Sequence, residues 1–124
     1  MKFAADKVLS AGNNNILLTE RGSSFGYGLV SDMTSIPIMQ KTGYPVIFDA
    51  THSAQLPGGD KTTGGNRKII PTLAKAAVAA GCNGLFMEIH DNPDKAKSDA
   101  ATQWPLDKLK SLLSIIIKVH EAVK

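Results

Sequence analysis

Ionisable side chains alternate with apolar ones in the segment 84–90, which contains Glu88 and His90 and is followed, after a short polar stretch, by Asp99. A carboxylate and an imidazole two residues apart at the end of a strand could ligate a metal ion or bind a sugar phosphate. With a period of two, Phe86, Glu88 and His90 share one face of a predicted strand. The alternative is that Glu88 and His90 lie at a solvated strand end.

The opposite face of this predicted strand is apolar. It carries Leu85, Met87 and Ile89, and we expect these three side chains to be buried. The sequence therefore predicts a strand with one face toward the core and one face available for chemistry.

His52 lies at the end of another apolar run, 44–52. With Glu88 and Asp99 it forms a candidate metal set of one imidazole and two carboxylates, which suits a hard or borderline divalent ion. The alternative is a strand-end histidine whose ring is satisfied by a backbone carbonyl.

Arg21 is the last residue of the predicted strand 16–21 and precedes a glycine- and serine-rich segment, 22–28, which we expect to be a flexible loop. Its planar guanidinium could bind a phosphate or a carboxylate, and the alternative is a surface arginine. Cys82 has no adjacent basic group, so we expect its thiol to be unreactive. His120 lies among lysines and is predicted to be on the surface.

The predicted helices and strands alternate along the chain. Helices are expected over 2–11, 32–41, 70–80 and from Pro105 onward, and strands over 16–21, 44–52 and from Gly84 onward. This order is typical of right-handed βαβ units and a parallel sheet in the α/β class. The candidate polar residues all fall at or just after the carboxyl ends of strands, where parallel sheets and barrels place their active sites. The long glycine-containing loop 53–66 is a candidate lid.

The composition is that of one ordinary globular domain over residues 1–124, with 43% hydrophobic and 20% charged residues. Lysine and arginine outnumber aspartate and glutamate by 14 to 11, a small and scattered excess that predicts no nucleic-acid surface but suits anionic substrates. The single cysteine excludes an internal disulfide. Neither a signal peptide nor a membrane span is predicted, so we expect a cytoplasmic protein that binds no membrane.

Three motifs resemble those of 3-deoxy-D-manno-octulosonate 8-phosphate synthase (KDO-8-phosphate synthase), also called 2-dehydro-3-deoxyphosphooctonate aldolase. They are ERGSSFGY at 20–27, FDATHSAQLPG at 48–58 and GLFMEIH at 84–90, the last followed by Ser98 and Asp99. The motifs occur in the order and spacing of that family, and the likeness runs over residues 1–124. The resemblance implies a TIM (β/α)8 barrel of the class-I aldolase type, of which this chain would supply the last three strands with their helices.

The resemblance also implies an activity, which is the condensation of phosphoenolpyruvate with D-arabinose 5-phosphate to an eight-carbon sugar phosphate used in lipopolysaccharide synthesis. It assigns the catalytic and metal-binding roles of metal-dependent members to His52, Glu88 and Asp99. The ion would be zinc, iron, manganese or a similar divalent metal, whereas metal-independent members use none. It assigns phosphoenolpyruvate binding to Arg21 and makes Gln55 and His90 further candidates for substrate binding. It likens the loop 53–66 to the mobile loop over the active site.

The N-terminal half of that family supplies further substrate-binding lysines and a Lys-Ala-Asn-Arg-Ser-Ser segment, which this sequence does not contain. The strands near 16 and Gly84 would be open edges, so we expect the chain to need self-association or that N-terminal half. One alternative is a catalytically inactive remnant or interaction module that keeps the ligand geometry. Another is a small free-standing sugar-phosphate binding module of a different family.

Overall fold

The computed structural model describes residues 1–25, 28–56 and 64–124. The helices in these parts are α1 (Lys2–Ser10), α2 (Ser35–Gln40), α3 (Ile70–Ala79) and α4 (Leu106–Ala122). The strands are β1 (Leu18–Glu20), β2 (Ser23–Phe25), β3 (Gly28–Val30), β4 (Val46–Asp49), β5 (Gln55–Leu56), β6 (Gly64–Gly65), β7 (Gly84–Phe86), β8 (Ile89–His90) and β9 (Trp104–Pro105). Short 3-10 turns span His52–Ala54, Arg67–Ile69 and Pro93–Lys95.

The central sheet is parallel and has the strand order β1-β4-β7. Leu18 pairs with Val46, and Ile47 pairs with Gly84, so the carboxyl ends of the strands lie at one edge. This confirms the predicted parallel sheet with its intervening helices. Within the described residues the sheet is not closed, and β1 and β7 each have one neighbour.

The helix bounds lie within one residue of the predicted ones, except that α2 begins at Ser35 and not at Asp32. Pro71 lies in the first turn of α3, where its missing N–H costs no hydrogen bond, and Gly81 just beyond the helix adopts a φ of 89°. Along α4, Leu112 and Ile116 recur at helical spacing and are buried, and α4 packs against α3. No helix in the described ranges is long and apolar enough to cross a bilayer.

The core lies between the central sheet and these helices. Val46 and Phe48 on β4 are fully buried, as expected for the middle strand of a covered parallel sheet. The other buried apolar side chains are Ala5, Leu18, Ile36, Met39, Ala50, Ala54, Ile70, Ala74, Ala77, Val78, Leu112 and Ile116.

The predicted strand from Gly84 through His90 is interrupted. Strand β7 ends at Phe86 and β8 begins at Ile89, where it pairs with β9 instead of the central sheet. The predicted burial of the apolar face is confirmed only in part, because Leu85 and Met87 are half-buried and pack against the core, whereas Ile89 is exposed. The physical reason is that β7 is an edge strand here and its chain leaves the sheet after three residues.

Two predicted loops contain regular structure. The segment 22–28 holds the antiparallel pair β2 and β3, whose tip, residues 26–27, lies outside the described residues. The predicted lid, 53–66, begins with a 3-10 turn and continues into β5, which pairs with β6 in antiparallel fashion. Its centre, 57–63, lies outside the described residues, so its predicted mobility stays a prediction.

Candidate metal centre

Three side chains from three separate connections meet beyond the carboxyl ends of the central strands. His52 lies in the 3-10 turn after β4, Glu88 lies between β7 and β8, and Asp99 lies in the loop before β9. One donor atom from each lies within 4.8 Å of the others, and His52 Nε2 is 3.7 Å from Glu88 Oε1. Two donors on one tetrahedral zinc ion are separated by about 3.4 Å, given bonds of about 2.0–2.2 Å. The cluster therefore has dimensions close to those of a metal site.

The His52 ring is held by a carboxylate. Its Nδ1 lies 2.7 Å from Asp49 Oδ2, and because an ionised carboxylate only accepts, Nδ1 carries the proton. In the neutral ring, which is the form that binds metals, Nε2 then has a lone pair and faces the cluster. Asp49 Oδ1 accepts from the backbone N–H groups of Thr51 (3.1 Å) and His52 (2.9 Å), which fixes the buried Asp49. The alternative of a histidine satisfied by a backbone carbonyl is not what the structure shows.

Glu88 is held at its backbone and at its carboxylate. Its N–H donates to the hydroxyl of Thr51 at 2.7 Å, and its carbonyl accepts from the N–H of Trp104 at 2.9 Å. The amide of Gln103 donates to Oε2 at 3.1 Å. The other oxygen, Oε1, is the one closer to His52. Glu88 therefore presents one oriented oxygen that could ligate a metal ion.

Asp99 adopts a left-handed backbone conformation, with a φ of 51°. Its carbonyl accepts from the N–H groups of Thr102 (2.8 Å) and Gln103 (3.0 Å), which closes the turn. Its Oδ1 accepts from the amide of Gln55. Asp99 is thus fixed at both the main chain and the side chain.

Each of the three candidate ligands is therefore held by a polar partner and still has an atom available to ligate a metal ion. The imidazole is held by a carboxylate and the two carboxylates by glutamine amides, which is the outer-shell arrangement found around protein metal sites. One neutral imidazole and two carboxylates suit a borderline or hard divalent cation. The residues present fit a divalent metal ion.

The remaining candidate residues lie outside this cluster. Arg21 is exposed directly after β1, at the same edge of the sheet. His90 is turned toward its own loop, where its Nδ1 lies 2.9 Å from the backbone nitrogen of Asn92 and 2.8 Å from Asp91 Oδ1. Gln55, a candidate for substrate binding, contacts Asp99. Burial raises the pKa of the Cys82 thiol, in keeping with the expected low reactivity, and His120 is exposed as predicted.

Sequence reasoning missed four of the groups that hold the ligands. Asp49 lies within a predicted apolar strand, so it does not stand out as a candidate. An aspartate three residues before a histidine nevertheless allows the contact between Asp49 and His52 across a tight turn. Thr51 adjoins His52, but nothing in the sequence pairs it with Glu88. Gln103 and Trp104 carry no sequence signal for their contacts, because those contacts depend on how the loop before β9 folds back.

The comparisons with known proteins agree on one family. The family model described as "DAHP synthetase I family" matches residues 1–124. The chain is 55% identical to the 2-dehydro-3-deoxyphosphooctonate aldolases of Methylococcus capsulatus and Dechloromonas aromatica. Both matches cover the whole of this chain, but they cover 44% of the Methylococcus protein and 46% of the Dechloromonas protein. The chain therefore spans less than half the length of these curated relatives.

Solved structures give the same result for the fold. A crystal structure of phospho-2-dehydro-3-deoxyheptonate aldolase (DAHP synthase) from Thermotoga maritima superposes with a TM-score of 0.81 at 28% identity. The match covers 98% of this chain and 34% of that one. A truncated form of 3-deoxy-D-arabino-heptulosonate 7-phosphate synthase from the same organism gives 0.80 at 28% identity, over 97% and 44% of the two chains. These matches confirm the expected partial (β/α)8 barrel.

Proposed function

Because this chain belongs to the DAHP synthetase I family, we propose that it forms the metal-binding, C-terminal part of a 3-deoxy-D-manno-octulosonate 8-phosphate synthase. The reaction joins phosphoenolpyruvate, D-arabinose 5-phosphate and water to give the eight-carbon sugar phosphate and inorganic phosphate. The observation that carries the proposal is the cluster of His52, Glu88 and Asp99, in which each side chain is oriented by a polar partner.

The residues of this chain have distinct parts in the proposed reaction. His52, Glu88 and Asp99 would hold the divalent ion, which when bound polarises an oxygen ligand or lowers the pKa of a bound water. Arg21, exposed at the same edge of the sheet, would bind the anionic phosphoenolpyruvate through its guanidinium. Two anionic substrates repel one another, and fixed cationic groups reduce that repulsion while they hold the reacting atoms together.

The remainder of the barrel is a partner in this proposal. Strands β1 and β7 each have one neighbour in the described sheet, and Leu17 and Phe86 beside these edges are exposed. The relatives are more than twice the length that the chain matches. We infer that further strands complete the sheet at both edges and bring the other substrate-binding groups, either from additional polypeptide or through self-association. A cytoplasmic location belongs to the same proposal.

The alternative of an inactive remnant or binding module is less well supported. The three candidate ligands and the groups that orient them are all present in this chain, and the identity to the curated relatives is 55% over the whole chain. A free-standing module of a different family is excluded by the family match.

Metal titration of the 124-residue chain tests the proposed centre directly. We expect one Co²⁺ or Zn²⁺ ion per chain in isothermal titration, and loss of that binding in His52→Ala. The matched control is His120→Ala, because His120 is an exposed histidine on α4. Equal binding by the two variants would contradict the assignment of His52.

The activity requires a complete barrel, so the second experiment supplies one. The chain replaces its matching segment in the Methylococcus capsulatus relative, and phosphate release is measured with both substrates. We expect turnover that is lost in Glu88→Gln and Asp99→Asn. A folded chimera without phosphate release would argue against the proposed function. Turnover that persists without any metal would assign a metal-independent reaction instead.

A further inference from the structure

Gln103 lies immediately before β9 and is almost completely buried. We propose that Gln103 is a positioning residue that fixes the Glu88 carboxylate and the Asp99 turn relative to one another, and so sets the affinity of the centre for its metal. This inference rests on the proposed metal centre. Gln103 would contact neither substrate nor ion, and it would act only through the two carboxylates.

The first observation is the use of its side-chain amide. The NH₂ group of a glutamine has two donors. In Gln103 one donates to Glu88 Oε2 and the other to the carbonyl of Ser98, each at 3.1 Å. Both donors are therefore engaged, and they join the strand-end carboxylate to the residue directly before Asp99.

The second observation is the use of its main chain. The N–H of Gln103 donates to the carbonyl of Asp99 at 3.0 Å, beside the bond from the N–H of Thr102. The N–H of Trp104 donates to the carbonyl of Glu88 at 2.9 Å. A short segment, 102–104, thus holds the backbone of one carboxylate ligand and closes the left-handed turn of the other.

These contacts restrict the freedom of Glu88. A glutamate side chain free to change rotamer loses conformational entropy when it binds an ion, and a side chain already fixed loses less. With Oε2 held by Gln103, the carboxylate is oriented and Oε1 remains on the side of His52. Removing the amide leaves the Glu88 carboxylate without the hydrogen bond that orients it and the carbonyl of Ser98 without this donor.

The test compares two glutamines in the full 124-residue chain. Gln103→Met keeps the volume of the side chain and removes both donors, and we expect Co²⁺ affinity to fall by about 10- to 100-fold, as is usual for outer-shell groups. The control is Gln40→Met, because the amide of Gln40 also bridges two acceptors, the carbonyl of Gly81 and the side chain of Asn83. Gln40→Met should leave the affinity unchanged. Equal affinities for Gln103→Met and wild type would overturn the proposal.

A metal-free measurement separates this proposal from that of the centre itself. In the NMR spectrum of the wild-type chain we expect nuclear Overhauser contacts between the Gln103 side-chain amide protons and the Glu88 side chain. Their absence would overturn the positioning role, whether or not metal binds. A chain that binds no Co²⁺ but shows these contacts would contradict the metal centre and support the positioning of Glu88. If Gln103→Met does not fold, Gln103→Asn, which keeps the amide but shortens its reach, provides the same comparison.

Discussion

Replacing Asp49 by asparagine should weaken metal binding without unfolding the protein. Asp49 Oδ1 accepts two backbone N–H groups and Oδ2 accepts the proton of His52 Nδ1. In Asp49→Asn the remaining carbonyl oxygen can still accept the two backbone groups. The new NH₂ then faces His52 Nδ1, and because an amide NH₂ only donates, Nδ1 has to become an acceptor.

This exchange changes the tautomer of the imidazole. A neutral ring that accepts at Nδ1 carries its proton on Nε2, which is the nitrogen that faces Glu88 in the cluster. The flipped amide, with its oxygen toward His52, would place NH₂ against two backbone N–H groups and lose both bonds. We therefore expect Co²⁺ or Zn²⁺ affinity to fall by about 10- to 100-fold, which corresponds to about 1.4–2.8 kcal/mol.

Isothermal titration measures this loss, and long-range ¹H–¹⁵N NMR correlations of the His52 ring report its tautomer. Asp32→Asn is the matched control, because exposed Asp32 likewise accepts from a backbone N–H two residues on, that of Thr34, at 2.9 Å. Hydrogen bonds from Thr34 lower the pKa of Asp32, so it is ionised at neutral pH, as a charge control requires. Unchanged metal affinity in Asp49→Asn, or an Nδ1–H tautomer in that variant, would refute the reasoning.

Three further predictions concern stability and reactivity. Thr51→Val leaves the backbone N–H of Glu88 without its hydroxyl acceptor, so we expect the free energy of unfolding in urea to fall by about 1–3 kcal/mol. An unchanged free energy of unfolding would show that water replaces the hydroxyl. Gly65→Ala should destabilise the chain because the new Cβ would lie 2.2 Å from the Thr102 methyl, whereas Gly64→Ala meets only ordinary contacts and should not; equal midpoints would contradict this. Burial raises the pKa of the Cys82 thiol, so the folded chain retains this proton to higher pH than the unfolded chain. The free energy of unfolding should therefore fall as pH rises through the ordinary range of thiol pKa values. Iodoacetamide should alkylate Cys82 more slowly in the folded chain than in the unfolded chain. Equally fast alkylation would refute the burial argument.

The central sheet and the main helices could be predicted because their signals are local. The continuous apolar run around Phe48 indicates a strand covered on both faces, and Pro71 and Gly81 limit α3. Alternation alone predicts too long a strand after Gly84, because it does not show where a chain leaves its sheet. The departure depends on Thr51, whose hydroxyl takes the N–H of Glu88 that a longer strand would pair with a neighbour.

The three candidate ligands could be selected from the sequence because parallel strands bring their carboxyl ends to one edge. The groups that hold them are harder to predict, since they belong to a second layer of contacts between loops. Gln103 is an ordinary glutamine in the sequence, and its role depends on a loop that folds back over Glu88. Asp49 is the exception, because its contact with His52 lies within one turn of chain.

The left-handed backbone of Asp99 restricts which residues can occupy that position. Most side chains with a Cβ are strained at a φ of 51°, and aspartate and asparagine are among those that tolerate it best. Of these two residues only aspartate has a negative charge. The backbone conformation and the proposed metal therefore restrict the residue at position 99 independently of one another. Asp99→Asn consequently removes the charge while preserving the turn, whereas Asp99→Glu keeps the charge and strains the turn. Because Asp99→Glu also moves the carboxylate by one methylene, Asp99→Asn is the variant that isolates the electrostatic requirement at this position.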